Sequence, residues 1–223
     1  DRLAGATPRS WLCLAIRLKV TRAPLLVVSR ASESHKGENG RVLVIGGGPY
    51  SGAPALAAMA ALRAGADLAT VAAPRNVAGI IAGLSPNLIV RPLSDDHLSP
   101  GDLDLIRELL PRHDVVVVGM GLGRHPETRE ALAELIPECG KAVIDADALL
   151  PGIPLQGIIT PHESEFRRVS TIRVPPGRVE KETLMSFARE MTLDFLLKSK
   201  VALSTDGSVA RGLTLAMPTR VVV

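Results

Sequence analysis

Three consecutive glycines, Gly46-Gly47-Gly48, end the apolar run Val42–Ile45, and Gly52-Ala53-Pro54 then opens an alanine-rich stretch. A glycine loop between a buried strand and a helix start lets backbone N–H groups come close to an anion. The segment therefore points to a crevice for a ligand that carries phosphate or similar charge. Gly119, Gly121 and Gly123 repeat the pattern after four valines, and serve either close approach to a ligand or a tight turn. Asp145 and Asp147 flank Ala146 after the apolar Ala142–Ile144. Such a pair can hold Mg²⁺ through water, contact ribose hydroxyls or cap a helix. In Thr160-Pro161-His162-Glu163-Ser164-Glu165, His162 is either a substrate contact or a helix cap, and Glu163 and Glu165 suit a first helical turn. Lys36, beside His35, could meet a phosphate or lie in a solvated loop.

Neither standard phosphate fingerprint is present. A dinucleotide loop needs G-x-G-x-x-G, but Ser51 stands at the sixth position from Gly46. The acidic residue expected at the end of the next strand is replaced by Ala72-Ala73-Pro74. A P-loop needs Gly-Lys-Ser/Thr, and here Gly52 is followed by Ala53-Pro54.

The elements that must position these residues alternate regularly from Arg41 onward. Apolar runs predict strands at Val42–Ile45, Leu68–Ala72, Leu88–Arg91, Val115–Val118, Ala142–Ile144, Gly157–Ile159 and Phe195–Leu197. Helical spacing predicts helices at Pro54–Ala64 (closed by Gly65), near Asn76–Gly83, at Asp102–Leu110, Pro126–Ile136 and Val179–Met191. Leu103, Ile106, Leu109 and Leu110 share one helical face, Pro175-Pro176 makes a bend, and Asp206-Gly207 makes a hairpin turn near the end. Short apolar strands alternating with helices predict a mainly parallel sheet covered on both faces. Ligands of such sheets sit beyond the carboxyl ends of the strands, where the glycines, aspartates and His162 fall. Residues 1–34 show no clean period and read as a leader.

Composition narrows the function. The chain has 223 residues, enough for one α/β domain with a substantial core. Aromatics are 2%, too few to stack bases, and the net charge of +3 is scattered, so no nucleic-acid partner is expected. No apolar run reaches the roughly 20 residues of a membrane span, and Trp11–Ile16 lacks the order of a signal peptide. Cys13 and Cys139 are far apart and fit a reduced, cytoplasmic setting.

Taken in order, these segments resemble the ADP-dependent NAD(P)H-hydrate dehydratase family. The resemblance rests on His35-Lys36-Gly37 with Asn39–Gly47, Ser51-Gly52-Ala53-Pro54, Ala60–Asp67, and Ser85-Pro86-Asn87-Leu88-Ile89-Val90. It continues through Gly119–Gly123, Asp145–Leu149 and Thr160-Pro161-His162 with Glu165-Phe166. It implies a ribokinase-like three-layer α/β sandwich with a mainly parallel sheet over residues 35–223. The activity it implies is repair of a nicotinamide cofactor to whose ring water has added. ADP phosphorylates the added hydroxyl, phosphate leaves, and NADH or NADPH is restored with AMP as co-product. The expected co-substrate is ADP, with Mg²⁺. By position, the resemblance gives Ala53, Gly121 and His162 contact with the hydrated dinucleotide. It lays Lys198, Ser199, Lys200, Val201 and Ala202 along the nucleotide. It also implies a homo-oligomer and an upstream NAD(P)H-hydrate epimerase domain, of which residues 1–34 would be a remnant or linker.

The family's catalytic Asp lies in a Gly-Thr-Gly-Asp motif that occurs nowhere in this chain, which reads Lys198-Ser199 where relatives have Lys-Gly and runs through Met217-Pro218 to three valines. A member truncated or frameshifted before that motif, with no catalytic residue of its own, is therefore expected. A ribokinase-like small-molecule kinase and a non-catalytic nucleotide-binding remnant are the alternatives. Ser51-Gly52-Ala53-Pro54 favours the dehydratase over the kinase.

Overall fold

The run Arg41–Ile45 forms the central strand β1 because its side chains supply both faces of a sheet. Leu43 and Ile45 enter one apolar core, and Val44 enters the other. The computed structural model describes residues 33–170 and the strand backbones at 194–196, 202–203 and 209–210. The expected helix Val179–Met191, the bend at Pro175-Pro176, the turn at Asp206-Gly207 and residues 1–32 lie outside the described residues.

Around β1 run β2 (Leu68–Ala73), β3 (Leu88–Pro92), β4 (Val115–Val118), β5 (Ala142–Ile144), β6 (Ile158–Ile159) and β7 (Asp194–Leu196). Their order is β3-β2-β1-β4-β5-β6-β7, every neighbouring pair parallel. Antiparallel β8 (Ala202–Leu203) and β9 (Val209–Ala210) extend the edge. Val44 pairs with Val71 on one side and Val117 on the other. The chain thus builds outward from β1 to β3, then returns to place β4 on the other side of β1. Because parallel crossovers keep one hand, that reversal puts the later helices on the opposite face.

Helices α1 (Gly52–Ala64) and α2 (Arg75–Leu84) cover one face, where Ala55, Ala58, Val77 and Ile81 meet Val44, Val71 and Ala73. Helices α3 (Leu103–Leu109), α4 (Pro126–Glu138) and α5 (Glu163–Val169) cover the other. There Ile106, Leu132, Leu135 and Phe166 pack on Leu43, Ile45, Val118 and Ile144. This is the expected α/β sandwich. Arg107 of α3 forks onto Glu138 of α4, with Nη2–Oε1 at 2.6 Å and Nε–Oε2 at 2.9 Å. Cys139, fully buried after α4, is a free thiol that burial pushes up to about 11, so it stays protonated at neutral pH. No helix among the described residues is long and apolar enough to cross a membrane.

Several boundaries differ from expectation for local reasons. Helix α1 begins at Gly52, since Pro54 fits anywhere in a first turn. It ends as expected at Gly65, whose φ of 115° gives the left-handed cap. The helix expected at Asp102–Leu110 is shorter: prolines at both ends turn Pro100–Asp102 and Leu110–Arg112 into single 3₁₀ turns. Helix α4 passes Ile136 and carries Pro137 in its last turn, ending at Glu138. Gly157 is not part of β6. It sits at φ 84°, where a Cβ would lie 2.3 Å from the Ala142 carbonyl oxygen.

Candidate functional site

The reversal of strand order falls between β1 and β4, and the two glycine loops leave those two strands. In an open parallel sheet this is the switch point, where the loops on either side diverge and a crevice opens at the carboxyl ends. Gly46–Gly48 follows Ile45 and Gly119–Gly123 follows Val118, with Asp145–Asp147 beside them after β5 and Thr160–His162 after β6.

The glycines bring these loops closer than side chains would allow. A Cβ on Gly46 would lie 2.7 Å from the Met120 carbonyl oxygen, and one on Gly121 3.0 Å from that of Tyr50. The loops are stitched by their own backbones: Gly47 N–H donates to Met120 O at 3.0 Å and Gly119 N–H to Ile45 O at 3.1 Å. Gly46 N–H donates to Ala72 O at 3.2 Å. Those three amides, expected to approach an anion, are engaged within the protein, so at Gly46, Gly47 and Gly119 close packing is the decisive role. Tyr50, 68% exposed, stands at the rim where its carbonyl abuts Gly121. Ala53 is exposed on the first turn of α1, and Gly121 is half-buried at φ 74°.

The aspartate pair divides its tasks. Asp145 precedes a 3₁₀ turn, Ala146–Ala148, without a side-chain cap bond. Asp147 Oδ2 accepts the Gly123 N–H at 2.9 Å, so a carboxylate after β5 holds the glycine loop after β4. Between them Ala146 adopts φ 50°, a left-handed conformation that costs an L-residue about 1 kcal/mol or more. Arg168 of α5 donates to the Ala146 carbonyl at 3.2 Å. Asp147→Ala is expected to cost about 1–2 kcal/mol. The Gly123 amide should then exchange about tenfold faster, read by hydrogen exchange. Unchanged protection at Gly123 would show that the carboxylate does not hold the loop.

His162 is a cap. Its Nδ1 accepts the Glu165 N–H at 3.2 Å, and its own N–H donates to Glu165 Oε2 at 2.8 Å. This reciprocal capping box starts α5, with Nε2 a further 3.2 Å from Glu165 Oε1. The imidazole remains half-exposed. Of the expected nucleotide residues, Lys198 to Val201 lie outside the described residues, and Ala202 opens β8.

Lys36 is not brought to the crevice. The His35–Gly40 turn precedes β1, at the amino end of the sheet, and the five residues of β1, about 16 Å, separate it from the glycine loops. The solvated-loop alternative holds, and Asp67 organises it: Oδ2 accepts from Gly37 N–H at 2.8 Å, Asn39 N–H at 3.0 Å and Asn39 Nδ2 at 3.0 Å. Sequence reading missed this anchor, and also Asp102, whose spacing from Ser99 is a capping-box pattern that was there to be read.

Comparison with known proteins bears on what the crevice serves. A family profile described as NAD(P)H-hydrate dehydratase matches residues 42–205. A bifunctional NAD(P)H-hydrate repair enzyme of Archaeoglobus fulgidus is 44% identical over 181 residues, covering 80% of this chain and 37% of that protein. The chain thus spans under two fifths of that relative's length. A ribokinase-like superfamily protein of Enterococcus faecalis superposes with a TM-score of 0.66 at 24% identity, over 78% of this chain and 62% of that one. An ADP/ATP-dependent NAD(P)H-hydrate dehydratase of Bacillus subtilis, co-crystallised with ATP and Mg²⁺, superposes with a TM-score of 0.61 at 23% identity, over 81% and 66%. Both likenesses show the ribokinase-like fold.

Proposed function

The chain belongs to the NAD(P)H-hydrate dehydratase family, and on that footing we propose that its crevice takes a hydrated nicotinamide dinucleotide and ADP for removal of the added water. The observation that carries this reading is the meeting of two glycine loops at the β1/β4 switch point, with the Asp145–Asp147 turn and the start of α5 alongside. In the proposed reaction the terminal phosphoryl of ADP passes to the ring hydroxyl, leaving AMP. The carbon–oxygen bond then breaks, phosphate departs and a proton leaves the neighbouring ring carbon, which restores the ring double bond of the reduced nicotinamide.

Ala53, Gly121 and His162 are the proposed dinucleotide contacts, and Lys198 to Ala202 the proposed nucleotide contacts. A small residue at Ala53, exposed on the first turn of α1, lets a ligand lie against the helix start. The half-exposed His162 ring, fixed by its cap, offers a ligand a pre-oriented edge. Asp145 and Asp147 are hard oxygen donors of the kind that suit Mg²⁺ arriving with nucleotide phosphates, where the ion would neutralise phosphate charge. In a longer protein the reaction would be paired with epimerisation of the hydrate, as the family resemblance implies.

Calorimetric titration of the purified chain with hydrated NADH, in the presence of ADP and Mg²⁺, tests the reading. Binding is expected, weakened about tenfold or more when Ala53 is replaced by a bulky residue such as Leu. The absence of binding, or equal binding by Ala53→Leu, would overturn it. Because Gly-Thr-Gly-Asp does not occur in these residues, turnover to NADH and AMP is expected at least about 10²–10³-fold below a relative that carries it. Phosphorylation of another alcohol without binding of the hydrate would instead favour the small-molecule kinase.

A further inference from the structure

Two imidazoles and a carboxylate meet where the segment after β3 crosses the start of α4. His97 Nε2 lies 2.9 Å from Glu127 Oε2, and the His97 and His125 ring centroids are 3.7 Å apart with their planes inclined at 36°. One ligand atom from each of His97, His125 and Glu127 falls within 4.8 Å of the others. We infer that these three residues form a site for a divalent transition metal of the Zn²⁺ class, which clamps the segment after β3 to the end of the Gly119–Gly123 loop.

The donor set selects the ion. Imidazole nitrogen with a carboxylate oxygen suits Zn²⁺, Co²⁺, Ni²⁺ or Cu²⁺, whereas Mg²⁺ and Ca²⁺ take oxygen ligands. Three protein ligands leave a fourth position for water. An ordinary His–Glu pair would account for His97 and Glu127. It leaves unexplained why the exposed His125 ring stacks on the partly buried His97.

The backbones that carry the ligands are held before any metal arrives. The buried Asp102 carboxylate accepts from Ser94 N–H at 2.8 Å, Ser94 Oγ at 2.6 Å, Ser99 N–H at 3.0 Å and Ser99 Oγ at 3.1 Å. These bonds close a loop around His97. The buried Thr128 hydroxyl donates to the Leu98 carbonyl at 2.8 Å, tying the residue after His97 to α4. Pro126, at the first position of α4, fixes the chain between His125 and Glu127. A tetrahedral site with bonds near 2.0–2.1 Å needs ligand atoms about 3.3 Å apart. His97 Nε2 and Glu127 Oε2 already stand 2.9 Å apart and the whole set lies within 4.8 Å, so closure needs only small side-chain rotations on a fixed frame.

The consequence reaches the crevice. His125 follows Gly123 by two residues and β4 by seven, while His97 follows β3 by five, so both arrive from carboxyl ends of the sheet. Metal binding would restrain the far end of the glycine loop.

The full chain, stripped of metal by a chelator and dialysed, is titrated with Zn²⁺ in a calorimeter and with Co²⁺ in a spectrophotometer. One ion per chain is expected, with visible cobalt absorption of the intensity of a four- or five-coordinate centre and its loss on adding Zn²⁺. His97→Ala and His125→Ala should each weaken Zn²⁺ binding by about 100-fold or more, while the exposed control His35→Ala binds as the parent does. Glu127→Gln retains a partner for His97, and should still weaken binding and shift the cobalt bands. Unfolding curves of all variants in chelator should overlay the parent. No binding of either metal at millimolar concentration, or equal binding by the His97→Ala/His125→Ala double variant, would overturn the site.

Discussion

Replacing Gly119 by alanine is expected to remove the folded state under ordinary conditions, the largest effect of any single methyl added to the described residues. A Cβ there would lie 1.8 Å from the Asp145 carbonyl oxygen and 2.8 Å from the Ala148 Cβ. The glycine also sits at φ 123°, which L-residues rarely adopt. Neither neighbour can yield, because both belong to a backbone bonded on every side. Gly119 N–H donates to Ile45 O at 3.1 Å, Asp147 N–H to Gly119 O at 3.3 Å, and Ala148 N–H to Asp145 O at 3.1 Å. Relief would require β4 and the turn after β5 to separate, opening the core at Val118 and Ile144, both fully buried. A cost of at least about 4 kcal/mol follows from overpacking and backbone strain together. A domain's whole stability is about 5–15 kcal/mol, so little folded protein should remain. Gly140→Ala is the control, since nothing lies within 4 Å of its added Cβ and its φ is not positive. It should change stability by no more than about 1 kcal/mol. A urea midpoint for Gly119→Ala equal to the parent's would refute the described approach of the two strand ends.

Asp102→Ala should cost about 2–4 kcal/mol at neutral pH, and that cost should shrink in acid. Burial by itself would raise the Asp102 carboxyl, but the hydrogen bonds from Ser94 and Ser99 outweigh it and hold the group below its ordinary 3.8. A carboxyl depressed in the folded state binds its proton more readily when unfolded. Its contribution is therefore fully present above the unfolded value, near 4, and is lost as pH falls through the lower folded value. Paired urea titrations of parent and variant at pH 7 and below pH 3 check this: the gap should narrow in acid. An equal gap at both would mean that packing, and not the charge, carries the effect. Since Asp102 closes the loop that presents His97, the variant should also bind Zn²⁺ more weakly at neutral pH.

Much of the fold was legible because each element carried a local signal. Four consecutive valines for β4, Gly65 past α1 and Pro126 at the head of α4 each act through chemistry within one turn or strand. Where expectation slipped, a neighbour distant in sequence had intervened. Gly157 looks like the first residue of a strand, but its conformation is set by the Ala142 backbone against it. Asp67 carries no local signal, but its oxygen gathers three donors from Gly37 and Asn39. For His162 the structure shows the capping box with Glu165, and the half-exposed ring keeps ligand contact as a proposal.

The site divides in the same way. The glycine loops, the aspartate pair and His162 could each be assigned to a strand end from the sequence, because a strand's last residue and the turn after it are adjacent in the chain. The family resemblance came from the same residues in order. Which strand ends stand next to one another is a matter of pairing between distant segments, and several sheet orders satisfy the same local pattern. Only the tertiary structure placed β4 beside β1, about seventy residues apart in the chain. That pairing brings the two glycine loops into contact, and packing of the segment after β3 against the start of α4 sets His97 against His125.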